Sequence, residues 1–311
     1  MALALAVLPS VALAQTRPVA PAPSPEVQAA MKKAEAGDTA PLVKLADSGN
    51  SEAQYYAGVL FLFGGKVTPK DAVRGCAYEG KASAHRADAM HLVGMCYQNG
   101  VGGVQDKAKA EAAYAQAAQM GFPKSKCALG KMLMADPSQA KRGLGLCRAA
   151  AEAGDVDAQV ALGDAYFAGA VTKRDYPAAR KWYEKAANQH NAQASRRLGE
   201  MYANGDGGSK DMKKAMALWI AGEKAGDPLV AILVADQLFA EVTGGRKPAP
   251  GTYAFKGGVP VADIKVAEEW YQLALDRDPR PDVKARAKYA LSILHGFRTA
   301  DQSKSPKPAK N

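Results

Sequence analysis

A glycine near the middle of an amphipathic helical pattern recurs along this chain at a nearly constant interval. It stands at Gly58, Gly94, Gly130, Gly163 and Gly199, with Ala235 in the same setting, in steps of 36, 36, 33, 36 and 36 residues. A second marker, an aromatic residue in the following helix, recurs at Tyr78, Tyr114, Tyr183 and Trp219, with Cys147 in the third unit. Because two markers keep one period, the sequence predicts an array of supersecondary units.

Each unit has the pattern of a helical hairpin. In the fourth unit the first helix covers Asp157–Ala168 and ends at Gly169, and the second runs from about Asp175 to Asn188 with Asp175 as its cap. The glycine inside the first helix costs about 1 kcal/mol of helix propensity against alanine. We infer that it recurs because the missing side chain lets the two helices touch. The apolar residues are rich in alanine and form no strand-length β-branched runs, which disfavours all-β and long-parallel-sheet folds.

The repeated pattern Ala-x-x-x-Leu-Gly-x-x-Tyr-x-x-Gly, then Asp and a helix ending Trp-Tyr-x-Lys-Ala-Ala, resembles the Sel-1-like repeat family, relatives of the tetratricopeptide repeats. It fits best at Ala194–Gly205, Ala158–Gly169 and Ala87–Gly100, and the resemblance covers about residues 37 to 297. The third unit departs by lacking three loop residues near Asp136, and the sixth by an insertion at Thr243–Asp263. The resemblance implies an adaptor role but no particular partner.

Stacked hairpins bury their apolar faces only against their neighbours, so we predict an all-α fold, a right-handed α/α superhelical solenoid with a period of about 36 residues. The predicted organisation is a signal peptide at 1–14, a Pro/Ala-rich linker at 15–25, the solenoid at 26–298 and a disordered basic tail at 299–311. A buried N-terminal helix is the alternative to the signal peptide. Terminal caps are expected at Pro25–Ser48 and Pro281–Phe297. No later apolar run is long enough to span a membrane.

If the hairpins resemble tetratricopeptide units, the first helix of each pair lines the concave face. Positions three before, one after and four after the marker glycine then form a mixed polar and aromatic stripe suited to a peptide or loop. The predicted binding residues are Tyr55, His91, Gln98, Lys131, Asp164, Arg196 and Glu200. An ordinary solvated helix face is the alternative interpretation.

Four cysteines in an exported chain suggest disulfide bonds. Cys76 and Cys96 lie on neighbouring helices of units one and two, and Cys127 and Cys147 on the two helices of unit three. Both pairs straddle one turn, whereas the other pairings would skip a helix and exceed the roughly 7 Å limit between Cα atoms. We therefore predict the bonds 76–96 and 127–147, with four free core thiols as the alternative.

The sequence nominates no enzyme, metal site or cofactor. The four histidines are scattered, and His190 occupies a turn between units where others have glycine, which favours a turn role. Ser138-Gln-Ala-Lys141 matches the acylating motif of penicillin-recognising enzymes, but its companion motifs are missing. The glycine-rich pieces fall at the same place in each repeat and are loops.

A net charge of +10 indicates an anionic partner, and nucleic acid is not expected behind a signal sequence. The insertion adds basic and aromatic residues that we predict to bind an anionic polymer or a partner, namely Arg246, Lys247, Tyr253, Phe255 and Lys256. A mobile loop without a binding role is the alternative interpretation. The main hypothesis is a non-enzymatic periplasmic or secreted scaffold that binds a protein or peptide through its concave face. The alternatives are a binder of peptidoglycan or another anionic envelope glycan, and a weak β-lactam-binding hydrolase.

Overall fold

The computed structural model describes residues 22–243 and 261–302, and every regular element in those ranges is an α-helix. The all-α prediction is therefore confirmed for the described residues. The described residues fall into two compact units that divide between Ala113 and Tyr114. Within the described ranges no helix combines the length and the hydrophobicity needed to cross a membrane.

The first unit is built on five helices and the start of a sixth. They are α1 (Pro25–Glu35), α2 (Ala40–Asp47), α3 (Ser51–Phe63), α4 (Ala72–Ala82), α5 (Ala87–Asn99) and α6 (Lys107–Gln119). Helices α1 and α2 occupy the predicted N-terminal cap. Their buried residues Val27 and Leu42 share one apolar cluster with Phe61 and Tyr78 of the α3–α4 hairpin, so the cap completes the core of this hairpin.

The second unit continues the pattern after the end of α6. Its helices are α7 (Pro123–Met134), α8 (Ala140–Glu152), α9 (Val156–Ala168), α10 (Tyr176–Ala187), α11 (Ala192–Asn204), α12 (Met212–Lys224), α13 (Ala231–Thr243), α14 (Val261–Arg277) and α15 (Pro281–Gln302). Each of these helices packs against the next one in the chain. At the C-terminal end, Ile293 and Leu294 of α15 are buried with Tyr271 of α14.

Aspartate side chains cap the N-termini of several helices. The Oδ1 atoms of Asp155, Asp175 and Asp211 accept hydrogen bonds of 2.8–2.9 Å from the backbone amides of Ala158, Ala178 and Lys214. Each cap of this kind stabilises its helix by about 1 kcal/mol. His190 has the predicted turn role, because its φ of 60° lies in the left-handed region.

The marker glycines allow close contact between the helices of a hairpin, as predicted. A β-carbon on Gly163 would lie 2.5 Å from the ring of Tyr183, and one on Gly199 would lie 2.5 Å from Nε1 of Trp219. Tyr183 is buried against this bare backbone. The aromatic residue therefore takes the volume that a side chain on the glycine would need.

Three predicted boundaries move. Pro25 is the first residue of α1 and not the last of the linker, because proline suits the first helical turn. Val261 begins α14, so the last three residues assigned to the insertion are helical; they precede Ile264, which is buried in the core. Helix α15 extends to Gln302, four residues into the predicted tail, and the first proline beyond 298 comes only at Pro306.

Residues 1–21, 244–260 and 303–311 lie outside the described residues. The predicted signal peptide, most of the linker and most of the tail fall there. The five predicted binding residues of the insertion fall there too, namely Arg246, Lys247, Tyr253, Phe255 and Lys256.

Candidate binding surface

The seven predicted stripe residues all lie on the first helices of hairpins. Tyr55, His91 and Gln98 belong to the first unit, on α3 and α5; Lys131, Asp164, Arg196 and Glu200 belong to the second, on α7, α9 and α11. Gln98 and Lys131 are exposed, and the other five side chains are partly buried. The structure joins Arg196 and Glu200 directly, and it joins Asp164 to the buried Tyr183, on which the charge of Glu200 acts.

Arg196 is the centre of a polar network in the second unit. Its Nε donates to Oδ2 of Asp227 over 2.7 Å, and its Nη1 donates to Oε1 of Glu200 over 3.2 Å. The Arg196 side chain is 14% exposed and that of Asp227 is 7% exposed. Because water hydrates this pair poorly, the charges of Arg196 and Asp227 are stabilised mainly by each other. Removing one of the two side chains would leave the other charge buried without a partner.

Tyr183 of α10 lies near the Arg196 network, where the charges of Arg197 and Glu200 act on it, and it contacts Asp164 of α9. Its hydroxyl donates to Oδ1 of Asp164 over 2.5 Å. Burial and then this hydrogen bond to Asp164 raise the pKa of the Tyr183 hydroxyl, with a further contribution from the charge of Glu200. Arg197 Nη1 donates to the second oxygen of Glu200 over 3.4 Å. The Asp164 carboxylate is therefore oriented by Tyr183, and the Glu200 carboxylate by Arg196 and Arg197.

A similar tyrosine–aspartate contact occurs in the α13–α14 hairpin, two hairpins after that of Asp164. Asp236 of α13 occupies the position equivalent to Asp164, one residue after the marker. Its Oδ1 accepts hydrogen bonds from the hydroxyl of Tyr271 over 2.8 Å and from Nε of Arg286 over 3.0 Å. Sequence reasoning missed Asp236 although it lies at a position that the stripe rule covers, and it missed Asp227, Tyr271 and Arg286 because they come from other elements.

In the first unit the predicted Tyr55 is part of a different cluster. The guanidinium of Arg86 lies over its ring at 4.3 Å, and Nη2 of Arg86 donates to Oδ2 of Asp88 over 2.7 Å. Burial, together with the charges of Asp88 and Glu79, raises the pKa of Tyr55 to about 12. His91 is partly buried on α5.

Glu79 is a residue that sequence reasoning missed. The marker pattern assigns Tyr78 to the place against Gly58, but a β-carbon on Gly58 would meet Glu79 Oε1 at 2.3 Å. The shift arises because the α3–α4 loop, from Gly64 to Asp71, is one residue longer than the α11–α12 loop from Gly205 to Asp211. Tyr78 instead donates its hydroxyl hydrogen to Oδ1 of Asp47 over 3.0 Å.

The Glu79 carboxyl has an unusual environment. The residue is fully buried, and neither carboxyl oxygen has a hydrogen-bond partner among the described residues. Desolvation, followed by the charge of Asp88, raises its pKa to about 9, against a smaller opposing effect of Arg86. Glu79 is therefore protonated at neutral pH in the folded protein.

The cysteines lie in two pairs at bonding distance. Cys76 of α4 is joined to Cys96 of α5 with a Cα separation of 6.1 Å, and Cys127 of α7 to Cys147 of α8 with 4.1 Å. These are the pairings predicted from the spacing. The first bond links consecutive hairpins in the first unit, and the second closes one hairpin in the second unit.

The described residues contain no group of three or more His, Cys, Asp or Glu side chains able to hold a metal ion. The Ser138 hydroxyl donates to Oδ1 of Asp136 over 2.7 Å in the turn before α8. Asp136 is exposed and also accepts from the Ser138 amide, so this serine contributes to a helix start.

The comparisons with known proteins agree with this architecture. The family model described as Sel1 repeat matches residues 51–84, 87–122, 156–191, 192–227 and 251–279. The unmatched stretch between 122 and 156 contains the third repeat, α7–α8, which has the short loop and Cys147 in place of the aromatic residue.

Among individual proteins, the human protein sel-1 homolog 2 is 40% identical over 88 residues, which is 28% of this chain and 13% of the human protein. The crystal structure of c5321, a protective antigen present in uropathogenic Escherichia coli strains displaying an SLR fold, is similar at a TM-score of 0.58 and 26% identity, over 84% of this chain and 56% of that one. A Sel1 repeat protein from Oxalobacter formigenes is similar at a TM-score of 0.59 and 20% identity, over 83% of this chain and 100% of that one. These structures confirm the predicted solenoid class of helical hairpins.

Proposed function

Because the chain belongs to the Sel1 repeat family, we propose that it is a non-enzymatic scaffold. In this proposal it binds a protein or peptide through the first helices of its hairpins. Stacked hairpins expose one helix of each pair in regular succession, and such rows of side chains suit extended partners. The specific role, the partner and the compartment are parts of this proposal.

The observation that carries the proposal is the polar network on α9 and α11. Asp164, Arg196 and Glu200 are each fixed by partners that are themselves buried or half-buried, such as Tyr183 and Asp227. Side chains that are oriented before binding lose less conformational entropy when a partner arrives. The same side chains present both carboxylate and guanidinium groups, which favours a polar peptide partner over an apolar one.

The proposed compartment is the periplasm or the exterior of the cell. Both cysteine pairs are placed for disulfide bonds, and such bonds persist in oxidising compartments. Trapping thiols in intact cells with a membrane-permeant alkylating reagent tests this. Four unlabelled cysteines support the proposal, and labelling of the native protein without reductant contradicts it.

Crosslinking in intact cells followed by mass spectrometry tests the binding role. Arg197→Ala removes an arginine whose side chain is 42% exposed beside Glu200. Lys181→Ala removes an exposed cation from α10, the second helix of its hairpin, and is the matched control. Replacing an arginine that contributes strongly to an interface with alanine lowers the affinity about tenfold or more. We expect the captured set to shrink for Arg197→Ala alone; equal capture by all three proteins would contradict the proposal.

A further inference from the structure

The loop between the two helices of a hairpin normally rests on the preceding hairpin. In the first unit, a β-carbon on Gly102 would lie 3.5 Å from Val73, in the first turn of α4. In the second unit, a β-carbon on Gly207 would lie 2.6 Å from the backbone of Tyr176, which begins α10. Both glycines have a left-handed backbone, with φ of +78° and +76°. The left-handed backbone favours glycine at both positions, and at Gly207 the close approach to Tyr176 also leaves no room for a side chain.

The loop of the fourth repeat departs from this arrangement. Its equivalent residue is Val171, two residues after Gly169 as Gly207 is two after Gly205. Among the described non-glycine residues, a positive φ is found at His190 alone, so Val171 does not follow the path of Gly102 and Gly207. A β-branched side chain neither adopts that conformation nor allows the same close approach. Val171 instead packs against the apolar cluster to which Leu144 and Cys147 of α8 belong.

A solvent-open cleft of about 630 Å³ lies between this loop and α8. Leu144 and Val171 give it an apolar floor, and Lys141 and Lys173 stand at its edge with Thr172. No aspartate or glutamate lines the cleft. Neither lysine has an ion-pair partner among the described residues, although four other lysines do.

The loop adds further donors to this positive edge. The backbone N–H groups of Val171, Thr172 and Lys173 make no hydrogen bond to the described residues. Free amides beside two ammonium groups favour a carboxylate, and the apolar floor favours an aliphatic side chain next to it.

We propose that this cleft binds an acidic peptide segment, in which one or two carboxylates alternate with an aliphatic side chain. The carboxylates contact Lys141 and Lys173, and the aliphatic group contacts Leu144 and Val171. This inference rests on the proposed scaffold role and names the chemistry of one partner segment. It concerns a surface separate from the network on α9 and α11.

The test uses the purified full chain and the peptide Gly-Glu-Leu-Glu-Gly-amide, which carries rhodamine on its N-terminal amine, followed by fluorescence anisotropy. We expect Lys141→Ala and Lys173→Ala each to weaken binding about threefold and the double variant about tenfold, as for exposed ion pairs. Lys181→Ala on α10 is the control and should bind like the native protein. A peptide with glutamine in place of both glutamates should not bind.

Methyl NMR shifts then locate the site. Shifts at Leu144 and Val171 on adding the acidic peptide support the proposal. Absence of binding at millimolar peptide, binding that neither lysine variant changes, or saturable binding of polygalacturonate without peptide binding would each overturn it. Because the peptide is defined and the protein pure, failure here leaves the crosslinking test of the scaffold role unaffected.

Discussion

At the scale of single residues, Glu79 differs most from its counterparts. Tyr183 and Trp219 fill the equivalent places against Gly163 and Gly199 with an aromatic ring. Glu79 puts a carboxyl there without a hydrogen-bond partner among the described residues. Burying a charge in such a place is costly, so the carboxyl stays protonated.

The raised pKa of Glu79 sets a pH dependence with a definite sign. Its pKa is about 9 in the folded protein against an ordinary 4.5, so the folded state binds the proton more tightly than the unfolded state. The stabilisation is complete below about pH 4.5 and is lost as the pH rises toward 9. At about 1.4 kcal/mol per pH unit, we expect the native protein to lose on the order of 4 kcal/mol of unfolding free energy through this group between pH 5 and pH 8.

Urea unfolding of Glu79→Gln at the two pH values measures this effect. The amide has nearly the same shape but does not titrate, so the loss between pH 5 and pH 8 should shrink by the Glu79 contribution. Glu184→Gln, at an exposed glutamate of α10, is the control and should keep the native pH dependence. A Glu79→Gln profile parallel to that of the native protein would show that Glu79 is ionised in the fold.

At the scale of helices, the contact between the two members of a hairpin depends on the marker glycines. Gly163→Ala would place a methyl group 2.5 Å from the Tyr183 ring. The gain in helix propensity is about 1 kcal/mol, and overpacking a close contact costs about 1–3 kcal/mol. Since Tyr183 is also held by Asp164, we expect a net loss of about 1–2 kcal/mol in thermal or urea unfolding.

Gly145→Ala is the matched control for that experiment. Gly145 also lies inside a helix, α8, but a β-carbon there would meet nothing within 4 Å. It should therefore stabilise the protein by up to about 1 kcal/mol through helix propensity alone. If both alanine variants were stabilising, the close approach at Gly163 would not limit the choice of residue.

At the scale of the whole molecule, each unit carries its own crosslink. Both bonds join residues separated by 20 positions, and closing a loop of this length stabilises by about 3 kcal/mol. In an array whose stability comes from neighbouring contacts, this effect should stay local. We expect Cys76→Ser with Cys96→Ser to raise amide hydrogen exchange in α4 and α5 while α9 to α11 keep their protection.

The double variant Cys127→Ser with Cys147→Ser gives the reciprocal result if stability is local. Faster exchange should then appear in α7 and α8, with α4 and α5 unchanged. Uniform loss of protection along the chain in either variant would mean that the units unfold together.

Much of the fold follows from local sequence signals. Asp175 caps α10 and His190 turns the chain because capping and left-handed turns depend on a few neighbouring residues. The period predicts the hairpins, and the spacing of 20 residues across one turn predicts both cysteine pairs. Of the predicted stripe, Arg196 and Glu200 are hydrogen-bonded to each other, whereas Tyr55 belongs to a separate cluster in the first unit. Binding by these residues stays a prediction.

The helices and their pairing can be read from the sequence alone, because these features repeat every turn or every 36 residues and depend on contacts between neighbours in the chain. The cysteine pairs follow from their spacing of 20 residues across one turn. Only the tertiary structure decided that Glu79 and not Tyr78 faces Gly58, that Asp227 holds Arg196, and that Val171 leaves a cleft beside Lys141. Those features depend on a single residue of loop length or on contacts about 30 residues away, which a periodic pattern does not encode.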